Sequence, residues 1–149
     1  MAKNFNHKIK VYYEDTDAGG IVYYANYLKY LERARTELLA NIGFSNLKIK
    51  DKFGASIVVK SCTIDYKKSA FLEDVLDINS FITSFSKTSI LMKQEIFRTH
   101  ELIVIAKVNL VIVNEKGKPI KIPEEVLENF QPYFNPCLLY TSDAADELS

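Results

Sequence analysis

A single long amphipathic segment, residues 24–42, most constrains how this chain can fold. Its apolar residues recur at steps of mostly three and four, the spacing of one helical face, and they are Tyr24, Tyr27, Leu28, Leu31, Ala34, Leu38, Leu39 and Ile42. Gly43 follows and is typical of the position just beyond a helix C-terminus. So wide a stripe predicts a helix covered on one side by a large apolar surface. The opposite flank, with Glu32, Arg33, Arg35 and Glu37, is predicted to face solvent.

The rest of the chain is predicted to form strands. Residues 8–13 alternate with a period of two, and four strand-like runs follow the helix at 55–66, 75–84, 90–98 and 102–113. The runs are joined by hairpin-length connections, and strands do not alternate with helices, so the sheet should be antiparallel. Residues 45–53 are mixed in pattern, and Pro123 opens a short helix. The sequence predicts one α+β domain over residues 1–136.

Charge and composition narrow the class of protein. The chain has 19 basic and 19 acidic residues and no block of like charges, which gives no electrostatic reason to expect nucleic acid or a membrane surface as a partner. No signal peptide is evident, and the most apolar run, 102–113, is too short for a transmembrane segment. A cytoplasmic protein is therefore predicted. Cys62 and Cys137 form no plausible disulfide framework or metal site, and Cys62 is predicted to be buried.

The last thirteen residues, 137–149, are a special case. They resemble the translation of a sequencing adapter, and we expect them to be non-native. The alternative is a genuine tail with a short acidic helix. Without this segment the chain loses three acidic and no basic residues, so 19 basic against 16 acidic residues leaves a formal charge of +3.

An acidic turn precedes the long helix and is the best candidate for chemistry. Asp15 and Asp17 lie shortly before a helix N-terminus, where unpaired N–H groups and the helix dipole favour negative charge. A carboxylate there could attack an acyl carbon or take a proton from water, while a backbone N–H stabilises the oxyanion. Gly19 and Gly20 would let the backbone approach a ligand closely. The alternative is a polar turn that only caps the helix.

Other readings of this turn fit poorly. A calcium loop would need a glutamate at its twelfth position, where this chain has Asn26. No Gly-Lys-Ser/Thr follows the glycines, so a phosphate-binding P-loop is excluded. The chain has only His7 and His100, neither near the turn, which leaves little basis for a histidine triad or a zinc site.

Residues 11–27, VYYEDTDAGGIVYYANY, together with 32–37, ERARTE, closely resemble the YbgC-like branch of the 4-hydroxybenzoyl-CoA thioesterase family. A weaker resemblance extends from residue 1 to about 134. It implies the hotdog fold, in which a curved antiparallel sheet of about five strands wraps a long central helix. It also implies a homodimer or homotetramer that hydrolyses short-chain or aromatic acyl-CoA, or acyl-carrier-protein thioesters, without a metal or organic cofactor.

The resemblance also implies roles for individual residues. Asp17 would be the catalytic nucleophile or general base, and the Tyr24 backbone N–H would hold the thioester carbonyl. Asp15 would support the turn. Many YbgC-like members have histidine where this chain has Tyr24, so no role of that histidine side chain carries over. Substrate contacts are expected from Gly19, Gly20, Val22, Lys60, Ser61, Lys87, Thr88 and Ser89. Lys60 and Ser61 could equally be ordinary solvated strand residues.

Two other functions stay open for such a chain. One is a non-catalytic module that binds an acyl carrier or an envelope complex. The other is a hotdog dehydratase, which is disfavoured because members of that group generally need a catalytic histidine and none lies near this helix.

Overall fold

A computed structural model describes residues 3–136. Strand β1 (Phe5–Lys10) and a 3-10 turn (Tyr13–Asp15) precede two helices, α1 (Ala25–Asn41) and α2 (Asn46–Phe53). Four strands follow: β2 (Ser56–Tyr66), β3 (Val75–Phe85), β4 (Ser89–Arg98) and β5 (Glu101–Val113). The chain then forms α3 (Glu124–Phe130) and a second 3-10 turn (Gln131–Tyr133).

The five strands form one antiparallel sheet in the order β1-β3-β4-β5-β2. Irregularities in register interrupt three of the four strand pairs, and such bulges bend and twist a sheet. The strand β2 has 11 residues, lies at one edge and is exposed along most of its length. The predicted α+β class and antiparallel sheet are confirmed.

Helix α1 packs on the inner face of this sheet. Its side chains at Leu31, Ala34 and Leu38 are completely buried, as are the facing sheet residues Ile78 and Ile96. The predicted apolar stripe is therefore correct in its centre but wrong at two positions. Tyr24 and Leu28 are 65% and 49% exposed, whereas Tyr30, which the pattern omitted, is buried. Core packing thus already includes Tyr27 in the first turn of α1, while Tyr24 and Leu28 lie on a side of the helix that the sheet does not cover.

Three other details differ from the sequence prediction. The first strand ends at Lys10 rather than Tyr13, because the following residues turn into a 3-10 helix. Residues 46–53 form a helix: the Ser45 hydroxyl accepts a hydrogen bond from the Lys48 N–H at 3.1 Å, and Gly54 ends it with φ +60°. Cys62 is exposed rather than buried, because it lies on the uncovered edge strand β2.

Two remaining predictions concern a transmembrane segment and the origin of residues 137–149. No helix within residues 3–136 is long and apolar enough to cross a membrane. The segment interpreted as non-native, 137–149, lies outside the described residues, and so does Cys137.

Candidate active site

The acidic turn is a tight loop closed by backbone hydrogen bonds. Thr16 and Val22 pair as an antiparallel bridge, the Asp17 N–H donates to the Ile21 carbonyl at 2.9 Å, and the Gly20 N–H donates to the Asp17 carbonyl at 3.0 Å. Gly20 has φ +77°, a conformation that L side chains rarely adopt. The glycine at this position therefore serves the turn itself, in addition to any contact with a ligand.

The Asp17 carboxylate is oriented by this loop and reaches solvent. Its Oδ1 accepts from the Gly19 N–H at 2.9 Å and, at a longer 3.4 Å, from the Ile21 N–H. Its Oδ2 accepts no hydrogen bond from any described residue. One oxygen is thus held by main-chain donors, while the other is free to meet a reacting atom or a water.

The start of α1 presents an N–H group without an acceptor. Tyr24 precedes the first residue of the helix, and its N–H donates to no group within residues 3–136. The Ala25 N–H likewise has no acceptor within residues 3–136, whereas the Asn26 and Tyr27 N–H groups donate to the Tyr23 and Tyr24 carbonyls at 2.9 and 3.3 Å. The Tyr24 N–H can therefore donate a hydrogen bond to an outside oxygen at a helix N-terminus.

Asp15 ties the turn to the helix rather than facing the cleft. Its carboxylate accepts from the Tyr12 N–H at 2.9 Å, and its carbonyl accepts from the Tyr23 N–H at 3.1 Å and from Asn26 Nδ2 at 2.7 Å. Burial and the nearby Asp15 carboxylate raise the pKa of Tyr30. These contacts are structural ones, of the kind expected of a supporting residue.

A second loop, residues 67–74, clamps the acidic turn from the other side. The Val22 N–H donates to the Ala70 carbonyl at 2.9 Å, and the Leu72 N–H donates to the Gly20 carbonyl at 3.0 Å. The buried Tyr27 hydroxyl accepts from the Ala70 N–H at 3.0 Å. The position of the turn therefore depends on the position of this loop.

Arg98 on β4 holds the clamping loop in place. Its Nη1 donates to the Ser69 carbonyl at 3.0 Å and to Asp74 Oδ2 at 2.8 Å, and its Nε donates to Glu101 Oε1 at 3.1 Å. The guanidinium also lies 5.5 Å from the Phe71 ring centre. Hydrogen bonds to Asp74 and Glu101 raise the pKa of Arg98. Arg98 thus acts on the turn indirectly, through residues 69–74.

Asp17 and Tyr24 line one cleft of about 410 Å³. Its other walls include Val22, Tyr27, Tyr66, Lys67 and Lys68. The Tyr66 ring lies 5.7 Å from that of Tyr24 and 5.6 Å from that of Tyr27, measured between ring centres. The structure therefore brings together two predicted catalytic groups and the predicted contact Val22, which is buried.

Lys67 and Lys68 are cleft residues that the sequence interpretation missed. Each has an acidic partner: Lys67 Nζ lies 2.9 Å from Asp65 Oδ2, and Lys68 Nζ lies 2.6 Å from Glu101 Oε2. The sequence does contain a signal for them, because two consecutive lysines directly follow the predicted strand 55–66.

The other predicted contact residues lie elsewhere in the chain. Lys60, Thr88 and Ser89 line a different cleft of about 470 Å³ at the start of β2, and Ser61 and Lys87 line neither cleft. Six residues along β2 separate Lys60 from Tyr66, about 20 Å at the rise of an extended strand. Gly19 and Gly20 shape the turn without lining the first cleft. Within one chain, these residues do not gather around Asp17.

Comparisons with known proteins agree with this geometry. The acyl-CoA thioesterase YbgC of Haemophilus influenzae is 38% identical over 131 residues, which cover 87% of this chain and 96% of that protein. A crystal structure of a probable thioesterase from Bartonella henselae matches with a TM-score of 0.78 and 31% identity, covering 81% of this chain and 100% of the other. A mutant 4-hydroxybenzoyl-CoA thioesterase, complexed with 4-hydroxybenzoyl-CoA, has a TM-score of 0.81 over 87% of this chain and 99% of its own. At 22% identity it shows the fold alone.

The hotdog fold and the enzyme family predicted from the sequence are thereby confirmed. A family model described as the thioesterase-like superfamily matches residues 11–130, most of the described chain. By sequence and by fold, the chain belongs to the thioesterase-like superfamily.

Proposed function

We propose that this protein hydrolyses acyl-CoA thioesters to a free acid and CoA thiol, with Asp17 as the catalytic carboxylate. The observation that carries the proposal is that Asp17 and Tyr24 line the same cleft, which brings together a carboxylate and a main-chain N–H that has no acceptor among residues 3–136. Relatives named acyl-CoA thioesterase support the reaction class. We infer that the acyl group of the substrate is short-chain or aromatic. We also infer that thioesters of acyl carrier protein are a second class of substrate.

In the proposed reaction, the thioester carbonyl oxygen accepts a hydrogen bond from the Tyr24 N–H. As the carbonyl carbon becomes tetrahedral, negative charge builds on this oxygen, and a donor fixed at a helix N-terminus stabilises it. The carbon–sulfur bond then breaks, and the thiolate leaves and takes up a proton.

Asp17 can act in either of two ways. As nucleophile, its free oxygen attacks the acyl carbon, a mixed anhydride forms as the thiolate leaves, and water hydrolyses the anhydride. As general base, the carboxylate takes a proton from a water that attacks the acyl carbon directly. Mass spectrometry of acid-quenched enzyme separates them, because only the first route adds the mass of the acyl group to the protein.

We further propose that a second copy of the chain completes the site. The exposed edge strand β2 offers unpaired main-chain groups along 11 residues, and antiparallel pairing with the same strand of another copy would satisfy them. Such a pair reverses the strand direction, so the cleft of Lys60, Thr88 and Ser89 in one copy comes beside the cleft of Asp17 in the other. Lys60 and Lys87 would then face the CoA phosphates, with Ser61, Thr88 and Ser89 as hydrogen-bonding neighbours.

The predicted homodimer, or a homotetramer built from two such dimers, follows from this pairing. We also propose a cytoplasmic location, where acyl-CoA is available. Light scattering of the purified protein measures the oligomeric state. A monomer at micromolar concentration with full activity would contradict the shared site.

Asp17→Asn tests the proposal directly. We expect turnover of butyryl-, hexanoyl- and benzoyl-CoA, followed by release of free thiol, to fall by at least about a hundredfold, in line with the loss of an acid–base or nucleophilic group. Asp51→Asn, on the surface of α2, is the matched control and should leave turnover unchanged. Unchanged turnover in a folded Asp17→Asn protein would overturn the assignment. Binding of acyl carrier protein with no hydrolysis of any thioester would instead favour a binding module.

A further inference from the structure

A third, smaller cavity lies between α1 and the edge strand β2. Its volume is about 130 Å³, similar to an engineered cavity of about 150 Å³ that holds benzene. Leu39, Val59 and Met92 give it apolar walls, and Glu32, Arg35 and Thr36 supply polar groups along one side. The cavity can therefore hold a small apolar group with one polar atom.

Arg35 points a guanidinium with unused donors at this cavity. Its Nη1 donates to Gln94 Oε1 at 2.9 Å, and none of its other N–H groups meets an acceptor among residues 3–136. Gln94 itself is completely buried, and its Nε2 donates to the Leu31 carbonyl and to Ser80 Oγ, both at 3.0 Å. A fully satisfied amide thus fixes the orientation of a partly buried cation.

The contrast with Arg98 shows what Arg35 lacks. Arg98 binds two carboxylates and a carbonyl, whereas no carboxylate within residues 3–136 lies at ion-pair distance from Arg35. Burial lowers the pKa of Arg35, whereas hydrogen bonds to Asp74 and Glu101 raise the pKa of Arg98. Within residues 3–136 the guanidinium gains one neutral acceptor, Gln94 Oε1, for the water that it loses, so its remaining donors are available to an oxygen from outside.

Glu32 limits which acceptor fits. Its carboxylate lines the same cavity and accepts from the Thr36 hydroxyl at 3.2 Å. A second carboxylate would be repelled by Glu32 as well as attracted by Arg35. A neutral hydroxyl or carbonyl oxygen gains the hydrogen bond from Arg35 without that repulsion.

The cavity and the Asp17 cleft are lined by the same two elements, β2 with its continuation and α1 with the residues just before it. Tyr66, which lines the Asp17 cleft, and Cys62 lie four residues apart on one face of β2. Partial loss of hydration raises the pKa of the Cys62 thiol, and the nearby charge of Arg35 opposes this rise. Tyr24 and Arg35 are 11 residues apart on α1, about 16 Å along the axis. The arginine side chain leans toward the helix N-terminus and shortens this gap. An acyl group that is held at the Tyr24 N–H and extends along α1 toward this cavity would end beside Arg35.

We propose that Arg35 selects acyl groups that carry a neutral oxygen acceptor, a hydroxyl or a carbonyl, at the end remote from the thioester. The inference rests on the proposed thioesterase function and names the substrate class of that site. In this arrangement Arg35 does not touch the reacting atoms. It determines specificity by binding the far end of the acyl group.

The experiment compares acyl-CoAs of equal length that differ only at the far end. Methyl-, hydroxyl-, oxo- and carboxyl-ended chains of four, six, eight and ten carbons are assayed for kcat/KM. At the best length we expect the hydroxyl or oxo substrate to exceed the methyl one by about tenfold or more, as for one hydrogen bond from a charged donor. The carboxyl-ended substrate should fall below the hydroxyl one.

Arg35→Met should remove this preference while kcat/KM for the methyl-ended substrate stays within about threefold. Arg33→Met is the matched control, because Arg33 is exposed on the same helix, and it should retain the preference. Arg35→Lys keeps a charged donor and should retain part of the preference for hydroxyl- and oxo-ended substrates. If Arg35→Met does not fold, the size of this preference in Arg35→Lys tests the proposal instead.

Three results would overturn the proposal. The first is an equal loss on all substrates in folded Arg35→Met, the second is the same preference in Arg35→Met as in wild type, and the third is a wild-type enzyme that hydrolyses methyl-ended chains best at every length. A wild-type protein that hydrolyses no thioester contradicts the proposed function instead.

Discussion

Tyr24→Pro, compared with Tyr24→Ala, is the sharpest test of how the site works, because both variants lose the tyrosine ring and only the proline variant loses the main-chain N–H. Tyr24 has φ −62°, the value that proline imposes, and its N–H makes no hydrogen bond within residues 3–136. Proline is also tolerated at the start of a helix. We therefore expect the free energy of unfolding to change by less than about 1 kcal/mol, since no bond is lost and proline stiffens the unfolded chain.

The catalytic effect of Tyr24→Pro should be much larger. Removing one donor from an oxyanion site costs about 100- to 1,000-fold in kcat, equivalent to roughly 2.7–4 kcal/mol of transition-state stabilisation. Tyr24→Ala is the matched control: it loses the ring, which lies 5.7 Å from the rings of Tyr23 and Tyr66, but keeps the N–H. Thiol-release kinetics give kcat, and circular dichroism melting reports the fold. If the folded proline variant turned over substrate as fast as the alanine variant, the oxyanion role of this N–H would be wrong.

Two further predictions concern stability. Arg98→Gln loses the hydrogen bonds to Asp74 and Ser69, and we expect it to lower the free energy of unfolding by about 2 kcal/mol, or Tm by about 4–8 °C. It should also lower kcat, because residues 69–74 hold the turn that carries Asp17. Lys8→Gln, which breaks an exposed pair with Asp77, should shift Tm by no more than about 2 °C; equal shifts in the two variants would refute the clamp. The hydrogen bond from Lys8 lowers the pKa of Asp77, so its stabilisation is fully present above about pH 4 and is lost as pH falls through the folded-state pKa. The Tm difference between wild type and Asp77→Asn should therefore shrink between about pH 4 and pH 2, and a constant difference would contradict this.

Periodicity predicted the fold well because a single helix on an antiparallel sheet leaves a simple pattern. Leu31, Ala34 and Leu38 had to be buried for α1 to pack at all, and the structure buries them. The pattern failed at Tyr24 and Leu28, which are apolar yet exposed. Tyr24 lines the Asp17 cleft, and a large apolar residue at a cleft resembles a core residue in sequence, because both contact apolar groups. Only the position of the sheet tells the two apart.

The local part of the site could likewise be predicted from the sequence. Asp17 and Tyr24 are seven residues apart, so one turn and one helix start determine their arrangement. The clamp that holds them was not predictable. Arg98 reaches Ser69 and Asp74 from another strand, and no spacing in the sequence encodes that contact.

Arg35 shows why the remaining part of the site could not be read from charge patterns. The i,i+3 spacing of Glu32 and Arg35 predicted a solvated pair, yet the two do not form an ion pair in the structure, and Arg35 turns inward. Gln94, 59 residues away, supplies a buried acceptor that an exposed glutamate cannot match, because a hydrogen bond is worth more where water does not compete. A single buried amide on β4 thus converts a surface arginine into a group facing a cavity. The specificity of the enzyme, if Arg35 sets it, would depend on a residue that never contacts the substrate.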